Sequence, residues 1–181
     1  MNILVLNGNP RPSSFDDYLK QLTRELEQRG HLAEQVDLRD LDLRNCLGCW
    51  TCWWKTPGLC ALKDDMALIY PRMVQADLVL WASPLVLGTV SALLKKVQDR
   101  FIPIAHPYIE LVNGECHHRH RYRHNADLGV IVEPTSEDTD TDLAITREFF
   151  ERFSRNTRTR FRLFATTTTP VKEAARDALA A

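Results

Sequence analysis

One run constrains this chain more than any other. Leu78-Val79-Leu80-Trp81-Ala82 is apolar at every position. Such a strand has two buried faces, which fits the centre of a largely parallel sheet with helices on both sides. The flanking sequence supplies the other parts. Residues 2–6 form a first apolar strand, followed by a helix to about residue 29, with Leu19, Leu22 and Leu26 at helical spacing and Gly30 as its stop. Residues 32–38 read as a second strand, and 128–132 and 161–165 as two more. Asp64 or Asp65 caps a helix to about residue 75, where Pro71 predicts a kink or break. Further helices are expected over 91–102, 140–156 and 171–181, with Leu143, Phe149, Phe150 and Phe153 as core positions of the second. Alternation of this kind implies a doubly wound α/β fold, a parallel sheet between two helical layers. Ligands then belong at the carboxyl ends of the strands, on the loops after Leu6, Ala82 and Val132.

Composition narrows the class. A chain of 181 residues fits one domain, 1–181, and its 44% hydrophobic content can build a core without disulfides. Lys and Arg number 23 against 24 Asp and Glu, so the chain lacks the basic excess of a nucleic-acid binder. The amino terminus has no basic flank and too short an apolar run for a signal peptide. Residues 78–94 are uncharged, but Ser83-Pro84 and Gly88 interrupt them, so no membrane span is expected. Four of five cysteines, Cys46, Cys49, Cys52 and Cys60, crowd into fifteen residues. Without a secretion signal this favours metal, cluster or redox chemistry over disulfides, and a cytoplasmic protein.

The first loop, Asn7-Gly8-Asn9-Pro10-Arg11-Pro12-Ser13-Ser14-Phe15, leaves a strand and enters a helix. Free N–H groups and the dipole at a helix start favour an anion such as phosphate. Ser13 and Ser14 add hydroxyls and Arg11 adds charge. The loop has neither the G-x-G-x-x-G set nor a P-loop Gly-Lys-Ser/Thr. A capped βα turn with Ser13 or Ser14 as N-cap accounts for it equally well.

Three segments together resemble the NADPH-dependent FMN reductase family, including its iron–sulfur flavoprotein branch. They are the first loop, Ala82-Ser83-Pro84-Leu85-Val86-Leu87-Gly88-Thr89 through Lys95 to Asp99-Arg100, and the cysteine segment from Cys46 to Met66. The resemblance covers residues 1 to about 105. It implies a flavodoxin-like, five-stranded parallel sheet in three α/β/α layers, noncovalent FMN, and a homodimer or homotetramer. It places the FMN phosphate on Asn9, Arg11, Ser13, Ser14 and Phe15, and the isoalloxazine along Pro84, Leu85, Val86, Leu87 and Gly88. Asp16 fits this placement less well, since a carboxylate near a phosphate repels it unless it faces away. The family often carries an aromatic near Val86, so stacking is not expected there. The implied activity is hydride transfer from NAD(P)H to FMN, then to a quinone, flavin or other small-molecule acceptor, with no acid/base residue assigned. The alternative is an electron-transfer flavoprotein serving protein partners.

The cysteines read C-x2-C-x2-C-x7-C. That spacing suits a [4Fe–4S] cluster, and the iron–sulfur branch uses similar spacing. Zinc is an alternative, and so is a metal-free loop packed through Trp50, Trp53 and Trp54. Residues 115–124 hold Cys116 and four of the six histidines. They read either as a solvated loop or as an anion or metal site using His117, His118 and His120. The acidic run 137–142 reads as charge for a helix N-terminus.

Overall fold

The computed structural model describes residues 1–180. Its elements in chain order are β1 Asn2–Asn7, α1 Ser14–Gln28, β2 Leu32–Asp37, α2 Thr51–Trp54, α3 Met66–Gln75, β3 Leu78–Val86, β4 Thr89–Val90, α4 Ala92–Asp99, β5 Ala105–Val112, β6 Glu115–His120, β7 Asp127–Glu133, α5 Asp140–Thr157, β8 Phe161–Thr166 and α6 Val171–Leu179. Five parallel strands run in the order β2-β1-β3-β7-β8. Numbered among themselves they read 2-1-3-4-5, the order of a flavodoxin-like sheet. β3 lies at the centre, as its unbroken apolar sequence requires.

Strand alternation sends successive side chains to opposite layers. Leu4, Leu6, Val79, Trp81 and Val130 enter one core with Met66, Ile69, Leu94 and Phe150. Ile3, Val5, Leu78, Leu80 and Ile131 enter the other, with Leu19, Leu22 and Leu26 of α1 and Ala174, Ala175 and Ala178 of α6. Gly30 ends the α1 turn at φ +86°, which a side chain rarely adopts.

Several expectations need correction. The helix over 66–75 is continuous through Pro71, because Met66, Ile69 and Met73 anchor it in the core on both sides of the proline. β3 does not end at Ala82. It continues to Val86, pairing Pro84 with Glu133 and folding back on β4. α4 ends at Asp99, three residues short of the expected end. Phe149 faces outward with 43% exposure, while Phe150 takes the core position. Residues 105–120 form an antiparallel hairpin rather than a loop. The last helix ends at Leu179; Ala181 lies outside the described residues. Among the described residues, no helix is long and apolar enough to cross a membrane.

Candidate functional site

The first loop is built around one buried carboxylate. Asp16 accepts from the Asn7 amide at 2.7 Å, the Asn9 amide at 2.8 Å and the Ser13 N–H at 2.8 Å. Arg39, from the turn after β2, reaches its other side at 2.6 Å and also holds Asp37 at 2.9 Å. Burial pushes the Asp16 carboxyl up, but the Ser13 N–H, Arg39 and Asn7 outweigh it and hold it below the usual carboxylate range. Asp16 is thus buried and bonded within the loop. Ser13 is the N-cap: its hydroxyl accepts from Phe15, and Asp16 closes the capping box.

This network already engages part of the loop expected to hold the phosphate. The Asn9 side chain is buried, and its amide is used on Ser13 and Asp16. It shapes the loop rather than facing out of it. Phe15 is fully buried in the core beneath the loop, and its N–H is taken by Ser13. Arg11, Ser13 and Ser14 are exposed. Ser14 opens α1, so its N–H has no intrahelical acceptor and points outward.

The second loop is fastened to the first. Gly8 donates to the Ala82 carbonyl at 2.7 Å, and Ser91 returns its hydroxyl to the Gly8 carbonyl at 2.6 Å. Ser83 accepts the Ser91 N–H at 2.8 Å, and the Ser91 hydroxyl caps α4 by accepting from Leu94. A Cβ on Gly8 would lie 2.7 Å from the Leu94 Cβ, so glycine is what lets β1 and α4 approach. The β3–β4 hairpin turns on Leu87 and Gly88, at φ +53° and +72°. Its tip is packed on α5: a Cβ on Gly88 would meet the Asp142 carboxylate at 2.6 Å. Pro84 is half-buried and Leu85 lies in the core, whereas Val86 and Leu87 stand out, Leu87 at 98% exposure. Backbone and apolar side chains are thus what this hairpin presents. Glu133, at the end of β7, sits beside Ser14; burial, then the Asp16 charge, raises its carboxyl despite the Ser14 hydroxyl.

The cysteines form a second centre. Cys46 and Cys49 are exposed, Cys52 and Cys60 half-buried, and none is in a disulfide. All four line one small cavity with Tyr70, Arg100, Ile102 and Pro103. Burial, then the neighbouring Cys60, pushes the Cys52 thiol up. The donor set, four thiols on one cavity, fits a four-thiolate cluster. Among the described residues, no three Cys, His, Asp or Glu side chains are gathered closely enough to hold a metal ion. Trp53 anchors the segment, donating from Nε1 to the Ile102 carbonyl at 2.8 Å and packing on His118. Trp50 and Trp54 remain 51% and 70% exposed in the single chain.

The histidine run is strand β6, which corrects the solvated-loop reading. Alternation places His117 on the face opposite His118 and His120, so the three do not converge on one ion. A separate hollow of about 500 Å³ lies beside Asn2, Leu32, Arg72 and Gln75, at the opposite end of the sheet from these loops. Sequence reasoning did not assign Asn7, Asp37, Arg39, Ser83 or Ser91. Their polarity at strand ends and caps was visible, but the bonds Asn7–Asp37, Arg39–Asp16 and Ser91–Gly8 join residues 30, 23 and 83 positions apart.

Comparison with known proteins agrees with this architecture. The profile of the family described as NADPH-dependent FMN reductase matches residues 1–119. An iron-sulfur flavoprotein of Archaeoglobus fulgidus is 31% identical over 100 residues, 55% of this chain and 48% of the relative. An iron-sulfur flavoprotein of Methanocaldococcus jannaschii is 33% identical over 105 residues, 58% of this chain and 53% of the relative. The chain spans about half the length of these curated relatives. In fold it is similar to an NAD(P)H:quinone oxidoreductase from Methanothermobacter marburgensis, with a TM-score of 0.69, 19% identity, and coverage of 100% of this chain and 97% of that one.

Proposed function

The chain belongs to the NADPH-dependent FMN reductase family, and from that premise we propose that it is an FMN-dependent oxidoreductase using NAD(P)H and a quinone, flavin or other small acceptor. The observation that carries this is the fastening of the two loops at the sheet edge, Gly8 to Ala82 and Ser91 to Gly8. It gives an anion-facing helix start and an exposed backbone hairpin a fixed spacing. Bound FMN supplies hydride and electron transfer. In this reading the Ser14 N–H and hydroxyl and the Arg11 guanidinium hold the phosphate. Pro84, Val86, Leu87 and Gly88 border the ring with backbone donors and apolar surface, while Asn9, Ser13 and Asp16 keep the loop in shape. Residues 1–181 act as one FMN-binding unit, cytoplasmic and assembled as a homodimer or homotetramer. Anaerobic mixing of the FMN-loaded chain with NADPH or NADH tests the activity: flavin bleaching supports it, and no bleaching with either overturns it.

A second reading has its own observation. The four cysteines line one cavity. Cys46, Cys49, Cys52 and Cys60 would then hold a [4Fe–4S] cluster, which supplies one-electron transfer, and protein partners would take the place of the small acceptor. The names of the curated relatives support this reading. Rapid flavin reduction by a reduced ferredoxin but not by a nicotinamide would select it.

A further inference from the structure

Arg100 follows the last turn of α4 and is almost wholly buried, its side chain 1% exposed against 0% for its partner Asp64. Both terminal nitrogens engage the Asp64 carboxylate, Nη2 at 2.8 Å. Nη1 also donates to the Arg44 carbonyl at 3.2 Å. Nη2 has a further contact, 3.4 Å to the Cys60 sulfur. Nε is buried without a partner. Tyr70 closes the same corner, its hydroxyl donating to the Arg100 carbonyl at 2.9 Å. Arg100 and Tyr70 line the cavity bounded by the four cysteines.

Stability alone does not explain this arrangement. A buried ion pair is often no more stabilising than apolar residues of the same volume, and a buried N–H without an acceptor is a direct cost. A guanidinium beside sulfur does have a chemical use. Hydrogen bonds to thiolate or sulfide sulfur, and a nearby positive charge, favour the more reduced and more negative state of a cluster.

We propose that Arg100, oriented by Asp64, sets the reduction potential of an iron–sulfur cluster at Cys46, Cys49, Cys52 and Cys60 by donating the Nη2 N–H to the sulfur at Cys60. The inference rests on the cluster reading above. Arg100 is a positioning and tuning residue: it binds no iron and moves no proton. The cluster gains one electron from the flavin or an external reductant, and Arg100 shifts that equilibrium toward the reduced form.

The test is a redox titration of the anaerobically reconstituted chain carrying FMN, followed by visible absorption and electron paramagnetic resonance. Arg100→Lys keeps the charge beside Asp64 but removes the second N–H that reaches Cys60. It is expected to retain iron and sulfide at wild-type stoichiometry. Its cluster should be at least tenfold harder to reduce, a drop of about 59 mV for a one-electron couple, with the flavin potential unmoved. If Arg100→Lys does not fold, the neutral pair Asp64→Asn with Arg100→Gln carries the same measurement. A full cluster with unchanged potential overturns the role of Arg100 and leaves the cluster standing. A wild-type chain that takes up no iron and sulfide overturns the cluster reading and this inference with it.

Discussion

The first loop and the cysteine segment are ordered in opposite ways. The first loop has a fixed frame, which leaves Arg11 and Ser14 exposed: Asn7, Asn9, Ser13 and Asp16 bond one another, Arg39 closes the set, and Gly8 and Ser91 tie it to the next loop. The cysteine segment has a fixed base, Trp53 on Ile102 and Arg100 on Asp64, but leaves Cys46 and Cys49 in solvent. The difference matches the chemistry of the two ligands we propose. A phosphate is held by hydrogen bonds and charge, which are effective when the donors need no reordering. A cluster forms strong bonds to thiolates, and those bonds can order the chain that supplies them.

This contrast is broken most severely at Asp16. Asp16→Ala removes the acceptor of two buried amides and the partner of Arg39, and the expected loss is about 3 kcal/mol in urea unfolding of the flavin-free chain. The pH dependence has a definite sign. The folded Asp16 pKa lies below its unfolded value of about 3.9, so its contribution is complete above that value. It is lost as pH falls through the folded value. The parent should therefore lose stability on acidification below about pH 4, and the variant should lose less over the same range. Gly8→Ala comes next. Its added methyl collides with Leu94, with an expected cost of about 1–3 kcal/mol and a fall in FMN affinity seen by fluorescence titration. Ser13→Ala removes a helix cap and should cost about 1 kcal/mol by the same unfolding assay. Cys46→Ser sharpens the comparison from the other side. It should change unfolding stability by no more than about 0.5 kcal/mol and leave FMN affinity intact, while iron content falls. Equal loss of flavin and iron in Cys46→Ser would show that the two regions are one unit.

Much of this was legible in the sequence because the signals were local. The apolar run at Leu78 placed the central strand, and Ser13 or Ser14 was the expected cap of α1, of which the structure uses Ser13. The hairpin at 105–120 was not recognised because β6 is polar on both faces and reads as a charged loop. A usable signal was present: Asn113-Gly114, both at positive φ, is the dipeptide of a tight hairpin turn. Within the candidate site, Ser13 caps α1, Ser14 opens it and Gly88 turns the hairpin, structural roles that their local chemistry predicts. Asn9 and Phe15, expected at the ligand, also hold the scaffold, which sequence does not show because it does not say which way a side chain turns. The Arg39–Asp16 and Arg100–Asp64 pairs join residues 23 and 36 positions apart, a distance over which a single sequence offers no pattern.

The most direct test of the account is the composition of the chain purified without oxygen and supplied with FMN, iron and sulfide. Visible absorption, flavin content, iron and acid-labile sulfide are measured on one sample. The account predicts one FMN per chain, with iron and sulfide in equal amounts that disappear in Cys46→Ser while the flavin stays. A chain that retains no FMN under these conditions would contradict it.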